Sequence, residues 1–240
     1  MFPVCAGVRG AQREGFSSCW LDHVTGFQRF SVDFNGKDTM KIGLFGGTFD
    51  PIHLAHLLLA EAAREAANLD EVWFIPAFSP PQKQGQQISP PRDRLEMVKL
   101  AIAGHVQFRF SKLEIDRKGT SYTVDTLRAV AQQHADDELF LLIGGDSLVD
   151  LPTWREPAEI LRLATVIAVN RGKTSLDVEP VLAALGEEFR SRILLCSMPG
   201  IELSASELRE RVRSGRTIRY QTPRSVELYV TQNQLYRKDS

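Results

Sequence analysis

The sequence predicts an α/β fold with a mostly parallel, doubly wound sheet and helices on both of its faces. Along residues 40–240, short apolar segments of strand length alternate with longer helical segments, a pattern typical of parallel strands joined by crossover helices. The first apolar segment, Lys41–Phe45, is as continuous as a strand covered on both faces should be. Ligands of such sheets bind beyond the carboxyl ends of the strands, so we expect the functional site there.

The elements are predicted in the following order. Strands are expected over residues 41–45, 71–75, 106–110, 138–143, 164–170 and 192–196, with 112–116 continuing toward a sheet edge. Helices are expected over residues 54–67, 89–103, 121–134, 157–163, 177–190, 204–214 and 224–236. Ser121 or Thr120 is the predicted cap of the third helix. Residues 76–87 are rich in proline and glutamine and form a loop long enough to act as a lid.

Length and composition favour one large domain. The chain has 240 residues, of which 43% are hydrophobic and 25% charged, as in ordinary soluble globular proteins. Its net charge of −1 provides no general attraction to nucleic acid or anionic membranes, so we expect neither as a partner. No apolar segment approaches the roughly 20 residues of a membrane span. Three cysteines without metal-like spacing favour a reducing compartment, and we expect a cytoplasmic protein. The sequence leaves open whether the protein is a homo-oligomer.

Residues 1–39 differ from the rest of the chain. They show no helical or strand periodicity, no apolar core of a secretory signal, and several acidic residues that argue against a transit peptide. We interpret them as a disordered N-terminal extension, or as sequence upstream of the true start. Residues 40–240 are then a single domain.

The most informative segment is residues 41–57, which read KIGLFGGTFDPIHLAHL. A strand is followed by Gly46 and Gly47, which allow a sharp turn and a close approach of ligand to backbone. Asp50 is a suitable cap for the next helix, and Pro51 suits its first turn. A strand, a glycine turn and a helix start in this order favour an anion at the free N–H groups of the helix.

Two histidines belong to the same helix start. His53 and His56 are three residues apart and therefore share a helix face. Core or surface packing is the commoner role for such a pair, and zinc would require further ligands that the neighbouring sequence lacks. With the glycines and free amides, the two imidazoles describe a phosphate site. A second helix start, at Ser204 and Ser206 with Arg209 one turn later, has the same anion-binding character.

Four segments, in order, resemble known enzymes. Residues 46–56 resemble the Gly-x-Phe-x-Pro-x-His-x-x-His signature of the nucleotidyltransferase superfamily, and residues 204–209 resemble its Ile-Ser-Ser-Thr-x-Ile-Arg element. Residues 80–83, PPQK, are similar to the Pro-Pro-His-Lys loop of bacterial-type nicotinate-nucleotide adenylyltransferases, with glutamine in place of histidine. Residues 121–127 and 143–154 resemble that family's marks for the pyridine nucleotide. The resemblance spans residues 40–237 and implies a Rossmann-like fold.

The resemblance implies adenylyl transfer from ATP to nicotinate mononucleotide, giving deamido-NAD and pyrophosphate in NAD biosynthesis. The implied catalytic residues are His53, His56, Lys83 and Arg209. The implied ATP ligands are Gly46, Gly47, Thr48, Phe49, His53, His56, Asp146, Ser204, Ser206 and Arg209. The implied ligands of nicotinate mononucleotide are Thr48, Lys83, Ser121, Tyr122, Thr123, Trp154 and Arg155.

The resemblance also implies Mg²⁺ carried in with ATP, and no metal site built from protein side chains. Three alternatives stay open. One is an adenylyltransferase of the same fold that acts on nicotinamide mononucleotide or phosphopantetheine. The second is a non-catalytic nucleotide-binding protein that has kept the fold. The third is an RNA-handling module, against which the net charge of −1 argues.

Overall fold

The protein is described here by a computed structural model that covers residues 39–83, 85, 87–172 and 176–237. The predicted extension, residues 1–39, lies outside this part of the chain except for Thr39. Six strands form one sheet in the described residues, in the order β3-β2-β1-β4-β5-β6, and every neighbouring pair is parallel. The strands are β1 (Lys41–Gly47), β2 (Glu71–Pro76), β3 (Phe108–Phe110), β4 (Glu138–Gly144), β5 (Thr165–Arg171) and β6 (Ile193–Met198). The predicted doubly wound fold is confirmed.

Helices connect successive strands and cover both faces of the sheet. They are α1 (Leu54–Ala67), α2 (Pro91–Ile102), α3 (Leu113–Arg117), α4 (Thr123–Gln133), α5 (Gly145–Asp150), α6 (Pro157–Leu163), α7 (Glu179–Leu185), α8 (Ala205–Arg213) and α9 (Arg224–Gln232). Short 3₁₀ helices span Pro81–Lys83, Leu151–Thr153 and Glu187–Arg192. The strand order reverses between β1 and β4, and in sheets of this kind ligands bind at that point.

The central strands divide their side chains between two hydrophobic cores. On β4, Phe140 and Leu142 belong to the core that includes residues of α1, α2, α8 and α9. Leu139, Leu141 and Ile143 belong to the other core, with residues of α4, α5, α6 and α7. Successive side chains of a strand point to opposite faces, so a continuous apolar run is what a strand buried on both faces requires.

The prediction that residues 112–116 continue as a strand is wrong, because they form α3. The Oγ of Ser111 accepts a hydrogen bond from the backbone N–H of Leu113 (3.3 Å) and so turns the chain after β3. Helical geometry then places the carboxylate of Glu114 inside the protein, where the Thr126 hydroxyl donates to it (2.6 Å). A short segment of mixed polarity could not reveal this buried contact.

The cap predicted for α4 is also wrong. Neither Thr120 nor Ser121 caps the helix, whose N-cap residue is Tyr122. The Oγ of Ser121 accepts instead from the backbone N–H of Phe78 (2.9 Å), so it binds the loop after β2. The helix predicted over residues 177–190 is divided into α7 and a 3₁₀ helix at Gly186, whose φ of +121° only glycine adopts readily.

Candidate active site

The turn between β1 and α1 carries the first predicted site residues. The prediction that Asp50 caps α1, with Pro51 in its first turn, is wrong because His53 is the N-cap residue. The Asp50 carboxylate is buried and accepts hydrogen bonds from the backbone N–H of Ser89 (3.1 Å) and the hydroxyl of Tyr236 (2.6 Å). A carboxylate already bound by two distant segments is not free to cap a helix, and it fixes the turn to both segments.

Gln221 and Thr222 also bind the start of α1. The backbone N–H of Leu54 donates to the carbonyl of Gln221 (3.0 Å), and the hydroxyl of Thr222 donates to the carbonyl of Ile52 (2.7 Å). Both contacts join residues more than 160 positions apart in the chain. The backbone around the two histidines is therefore fixed by tertiary contacts and not only by helix formation.

The two predicted histidines lie together at this helix start, with their rings stacked and their centroids 3.7 Å apart. His53 is almost fully buried, with 2% of its surface exposed. The Nδ1 of His56 accepts a hydrogen bond from the backbone N–H of His53 (3.2 Å). An accepting Nδ1 places the proton of a neutral ring on Nε2, so His56 can donate from Nε2.

Both imidazoles are neutral near pH 7. Burial lowers the pKa of His53 to about 4, with a smaller contribution from the positive charge of Arg171. Burial also lowers the pKa of His56 well below its usual value, and the charges of His53, Arg171 and Lys83 act in the same direction. The pair therefore offers N–H donors rather than full charges in the free protein.

The full positive charges come from Lys83, in the 3₁₀ helix after β2, and from Arg209, in α8. Lys83 is half-buried. Burial is the largest cause of its lowered pKa, and the positive charge of Arg209 is the next. Arg209 donates from Nη1 to the carbonyl of Asp50 (2.7 Å) and from Nη2 to the Oγ of Ser206 (3.2 Å). These contacts tie the first turn of α8 to the turn before α1. The interaction of Lys83 with both His56 and Arg209 places these predicted residues in one electrostatic cluster.

The hydroxyls at the start of α8 have different partners. Ser204 is the N-cap residue of α8, and its Oγ accepts from the backbone N–H of Glu207 (3.1 Å), which confirms the predicted capped helix. Ser206 binds Arg209, as described above. Both serines are exposed, and their roles as ATP ligands stay predictions.

A cleft of about 730 Å³ opens at the carboxyl edge of the sheet, where the strand order reverses. It brings together eight predicted ligand residues, namely Gly46, Gly47, Thr48, Ser121, Tyr122, Thr123, Trp154 and Arg155. At Gly46 a Cβ would enter open space, so the backbone there is directly accessible. At Gly47 a Cβ would lie 2.8 Å from the Phe49 ring, so the absence of a side chain is required for packing.

The cleft is also lined by Tyr122, Trp154 and Arg155, which come later in the sequence than the glycine turn. We call this part the ring end of the cleft. The guanidinium of Arg155 lies over the Tyr122 ring, 4.8 Å from its centroid, and pairs with Asp125 (3.4 Å) and Glu156 (3.7 Å). Trp154 is half-buried beside them. This end combines flat rings with a cation, which suits an aromatic ligand that carries a negative group.

Lys83 is not among the residues that line the cleft, and neither are seven of the predicted ATP ligands, namely Phe49, His53, His56, Asp146, Ser204, Ser206 and Arg209. Phe49 is 1% exposed, and its ring lies against those of Phe45, Phe74 and His56. Its side chain packs against His56 from the core, and its role as an ATP ligand stays a prediction. Asp146 is exposed in α5 and is not among the residues that line the cleft, and its role as a ligand stays a prediction.

Sequence reasoning missed three residues of the site. Arg171 ends β5 at the same edge as the glycine turn, and its position after a predicted strand was the available signal. Gln82 lines the cleft although it replaces the family's histidine. Arg94 is fully buried in α2 and contacts the site only through backbone carbonyls. No sequence signal distinguishes it from the exposed Arg92 two residues earlier.

The fold, the glycine turn, the histidine pair and the surrounding cations define a nucleotidyltransferase. The chain belongs to the cytidylyltransferase-like family, whose model matches residues 44–211. It is 44% identical to a probable nicotinate-nucleotide adenylyltransferase of Thermomicrobium roseum over 197 residues, which are 82% of this chain and 92% of the relative. It is 45% identical to a probable nicotinate-nucleotide adenylyltransferase of a Roseiflexus species, over 82% of this chain and 98% of the relative. The predicted resemblance to this group of enzymes is confirmed.

A solved structure supports the fold. The nicotinic acid mononucleotide adenylyltransferase of Plasmodium falciparum, complexed with NaAD, matches 82% of this chain and 97% of its own length with a TM-score of 0.69. At 19% identity this likeness concerns the fold. Within the described residues no helix is long and apolar enough to cross a bilayer, and no group of three or more His, Cys, Asp and Glu side chains could hold a metal ion.

Proposed function

We propose that this protein transfers the adenylyl group of ATP to nicotinate mononucleotide, with release of pyrophosphate. The observation that carries the proposal is a cleft lined by the glycine turn, Trp154 and Arg155, with the stacked imidazoles at the helix start that follows the glycine turn in the chain. The 44% and 45% identical relatives, both of which bear the name of this activity, support the same substrates.

The chemistry requires two anions to meet. A phosphate oxygen of the mononucleotide attacks the α-phosphorus of ATP, a new P–O bond forms, and the bond between the α-phosphorus and the bridging oxygen breaks as pyrophosphate leaves. The nucleophile is ionised at neutral pH, so no general base is required. The protein contributes positioning and charge stabilisation. His53 and His56 would donate N–H bonds to phosphate oxygens, and Lys83, Arg171 and Arg209 would supply positive charge.

Mg²⁺ would arrive with ATP, because this small cation keeps several waters and is bound mainly through substrate phosphates rather than by a cage of protein ligands. The metal would neutralise phosphate charge, held by phosphate oxygens and water. We also propose a cytoplasmic location and small-molecule partners without nucleic acid.

The ring end of the cleft favours the acid form of the mononucleotide. Trp154 and Tyr122 offer flat faces for the pyridine ring. The Thr123 hydroxyl and the first N–H groups of α4, which have no partner within the helix, would meet the carboxylate. The positive charge of Arg155 acts in the same direction. An amide ring would gain none of this electrostatic stabilisation.

The test follows pyrophosphate release from ATP with three acceptors in turn: nicotinate mononucleotide, its amide analogue and phosphopantetheine. We expect the highest kcat/KM with nicotinate mononucleotide. Arg155→Gln should lower the ratio of kcat/KM for the acid to kcat/KM for the amide analogue. Arg162→Gln, on the exposed face of α6, should leave this ratio unchanged. Preference for phosphopantetheine would identify a related adenylyltransferase, and no release with any acceptor would favour a non-catalytic nucleotide-binding protein.

A further inference from the structure

Arg94, in α2, has a completely buried side chain, with 0% of its surface exposed. A buried guanidinium needs acceptors for its N–H groups, because removal of a cation from water is strongly unfavourable. Its Nε donates to the carbonyl of Ser89 (2.9 Å), Nη1 to that of Thr48 (2.9 Å) and Nη2 to that of Phe78 (3.2 Å). All three acceptors are backbone atoms outside α2.

The three carbonyls share a relation to the proposed active site. Thr48 follows the glycine turn and lines the cleft. Phe78 and Ser89 lie at the two ends of the chain segment that carries Lys83, which we call the 78–89 loop. Arg94 therefore binds both ends of the 78–89 loop to the backbone of the glycine turn.

Buried carboxylates complete this arrangement. Burial lowers the pKa of Arg94, while the charges of Asp50 and Glu114 oppose that shift. Asp50 also accepts the backbone N–H of Ser89 (3.1 Å), so the second end of the 78–89 loop is held at both its N–H and its carbonyl. Lysine could not replace Arg94 here, because one ammonium group lacks the planar fork that reaches three separate acceptors.

We propose that Arg94 is a positioning residue for adenylyl transfer. It sets the position of Lys83 relative to the histidine pair by holding both ends of the 78–89 loop against Thr48, and it touches neither substrate. The expected effect on kcat rests on the proposed function. The charge of Lys83 already bears on His56, and a displacement of about 1 Å at reacting groups lowers a rate by roughly 10²-fold.

The test compares Arg94→Lys with Arg92→Lys, a matched control on the exposed side of the same helix. Steady-state kinetics with ATP and nicotinate mononucleotide, measured at a temperature below the Tm of each variant, give kcat and the KM values for both substrates. Limited trypsin digestion without substrates, followed by mass spectrometry of the peptide that ends at Lys83, reports opening of the 78–89 loop. Both variants keep a tryptic site at the substituted position, so their digests are comparable.

We expect Arg94→Lys to lower kcat by roughly 30- to 100-fold, with KM changed less than about threefold. Cleavage after Lys83 should accelerate at least about tenfold, since proteolysis follows the population of the open form. Arg92→Lys should match the wild type in both assays. A folded Arg94→Lys protein with kcat within about threefold of wild type, or with unchanged cleavage after Lys83, would overturn the proposal.

A second variant covers the case in which Arg94→Lys does not fold. Asp50→Ala removes the carboxylate that accepts the Ser89 N–H and acts on Arg94, and it should accelerate cleavage after Lys83 while lowering kcat. Unchanged cleavage in a folded Asp50→Ala protein would also overturn the proposal. If wild-type protein releases no pyrophosphate with any acceptor, the proposed function fails, yet the digestion assay still decides whether Arg94 holds the loop.

Discussion

Acidification from pH 7 to pH 5 should destabilise the free protein through its stacked histidines. In the folded state the pKa of His53 is lowered to about 4 by burial, and that of His56 is lowered well below its usual value. The unfolded chain therefore takes up protons on these two residues near pH 6.5, whereas the folded protein does not. Because the unfolded state binds more protons, the free energy of unfolding falls as the pH decreases below 6.5.

The magnitude follows from the shift in the pKa of His53. A change from 6.5 to about 4 gives a loss of about 2 kcal/mol between pH 7 and pH 5, and the loss becomes complete only below pH 4. His56 adds to the loss in the same direction. This is a large part of the roughly 5–15 kcal/mol by which a typical domain is stable. Carboxylates contribute little in this interval, because their ordinary pKa values lie near or below 4.5.

Urea denaturation without substrates, at several pH values from 7 to 5, measures this loss. The double variant His53→Gln/His56→Gln should show a much flatter dependence, because the groups that take up the protons are absent. His105→Gln should retain the decline, since His105 lies beside Glu61 (3.2 Å) and away from the pair. A free energy of unfolding that is the same at pH 7 and pH 5 in the wild type would refute the claim that both imidazoles are buried and neutral.

Three further predictions concern activity. His53→Ala and His56→Ala should each lower kcat by on the order of 10²-fold or more, the scale for loss of a preorganised donor; a drop of tenfold or less in both would remove the pair from catalysis. Trp154→Ala should raise the KM for nicotinate mononucleotide more than that for ATP, and equal increases would show that Trp154 only packs the fold. Deletion of residues 1–39 should leave kcat and Tm nearly unchanged, because these residues show no helical or strand periodicity and the first predicted strand begins after them; a large loss of either would show that these residues belong to the functional domain.

The sequence predicted the sheet well because its strands are buried on both faces and so form continuous apolar runs. Lys41–Gly47 and Thr165–Arg171 differ from their predicted limits by at most two residues at each end. The glycine turn at Gly46 and Gly47 was also predictable, since it lies where a strand reaches the carboxyl edge of a parallel sheet. The five cleft residues Ser121, Tyr122, Thr123, Trp154 and Arg155 were implied only by the family resemblance. For the strands and the glycine turn, the local sequence pattern and the position in the fold favour the same structure, as is expected for natural sequences.

The errors arose where a polar side chain has a partner distant in the sequence. Asp50 suits a helix cap by type and position, but Ser89 and Tyr236 bind its carboxylate. Ser121 was predicted as a cap for the same reason, and it binds the Phe78 backbone instead. Capping is a local rule, and a local rule fails when a buried carboxylate or hydroxyl gains more from a long-range hydrogen bond.

The neutrality of the histidine pair also explains how the site can gather its cations. Lys83 and Arg209 already repel each other, and charges on His53 and His56 would add repulsion from Arg171 and Lys83 that opposes the folding of the free protein. Neutral rings avoid this repulsion and still present N–H donors to phosphate. An incoming polyanion reverses the balance, because negative charge near a buried imidazole raises its pKa. In the proposed reaction the donors would strengthen as negative charge develops on the phosphate oxygens, so they would stabilise the transition state more than the bound substrates.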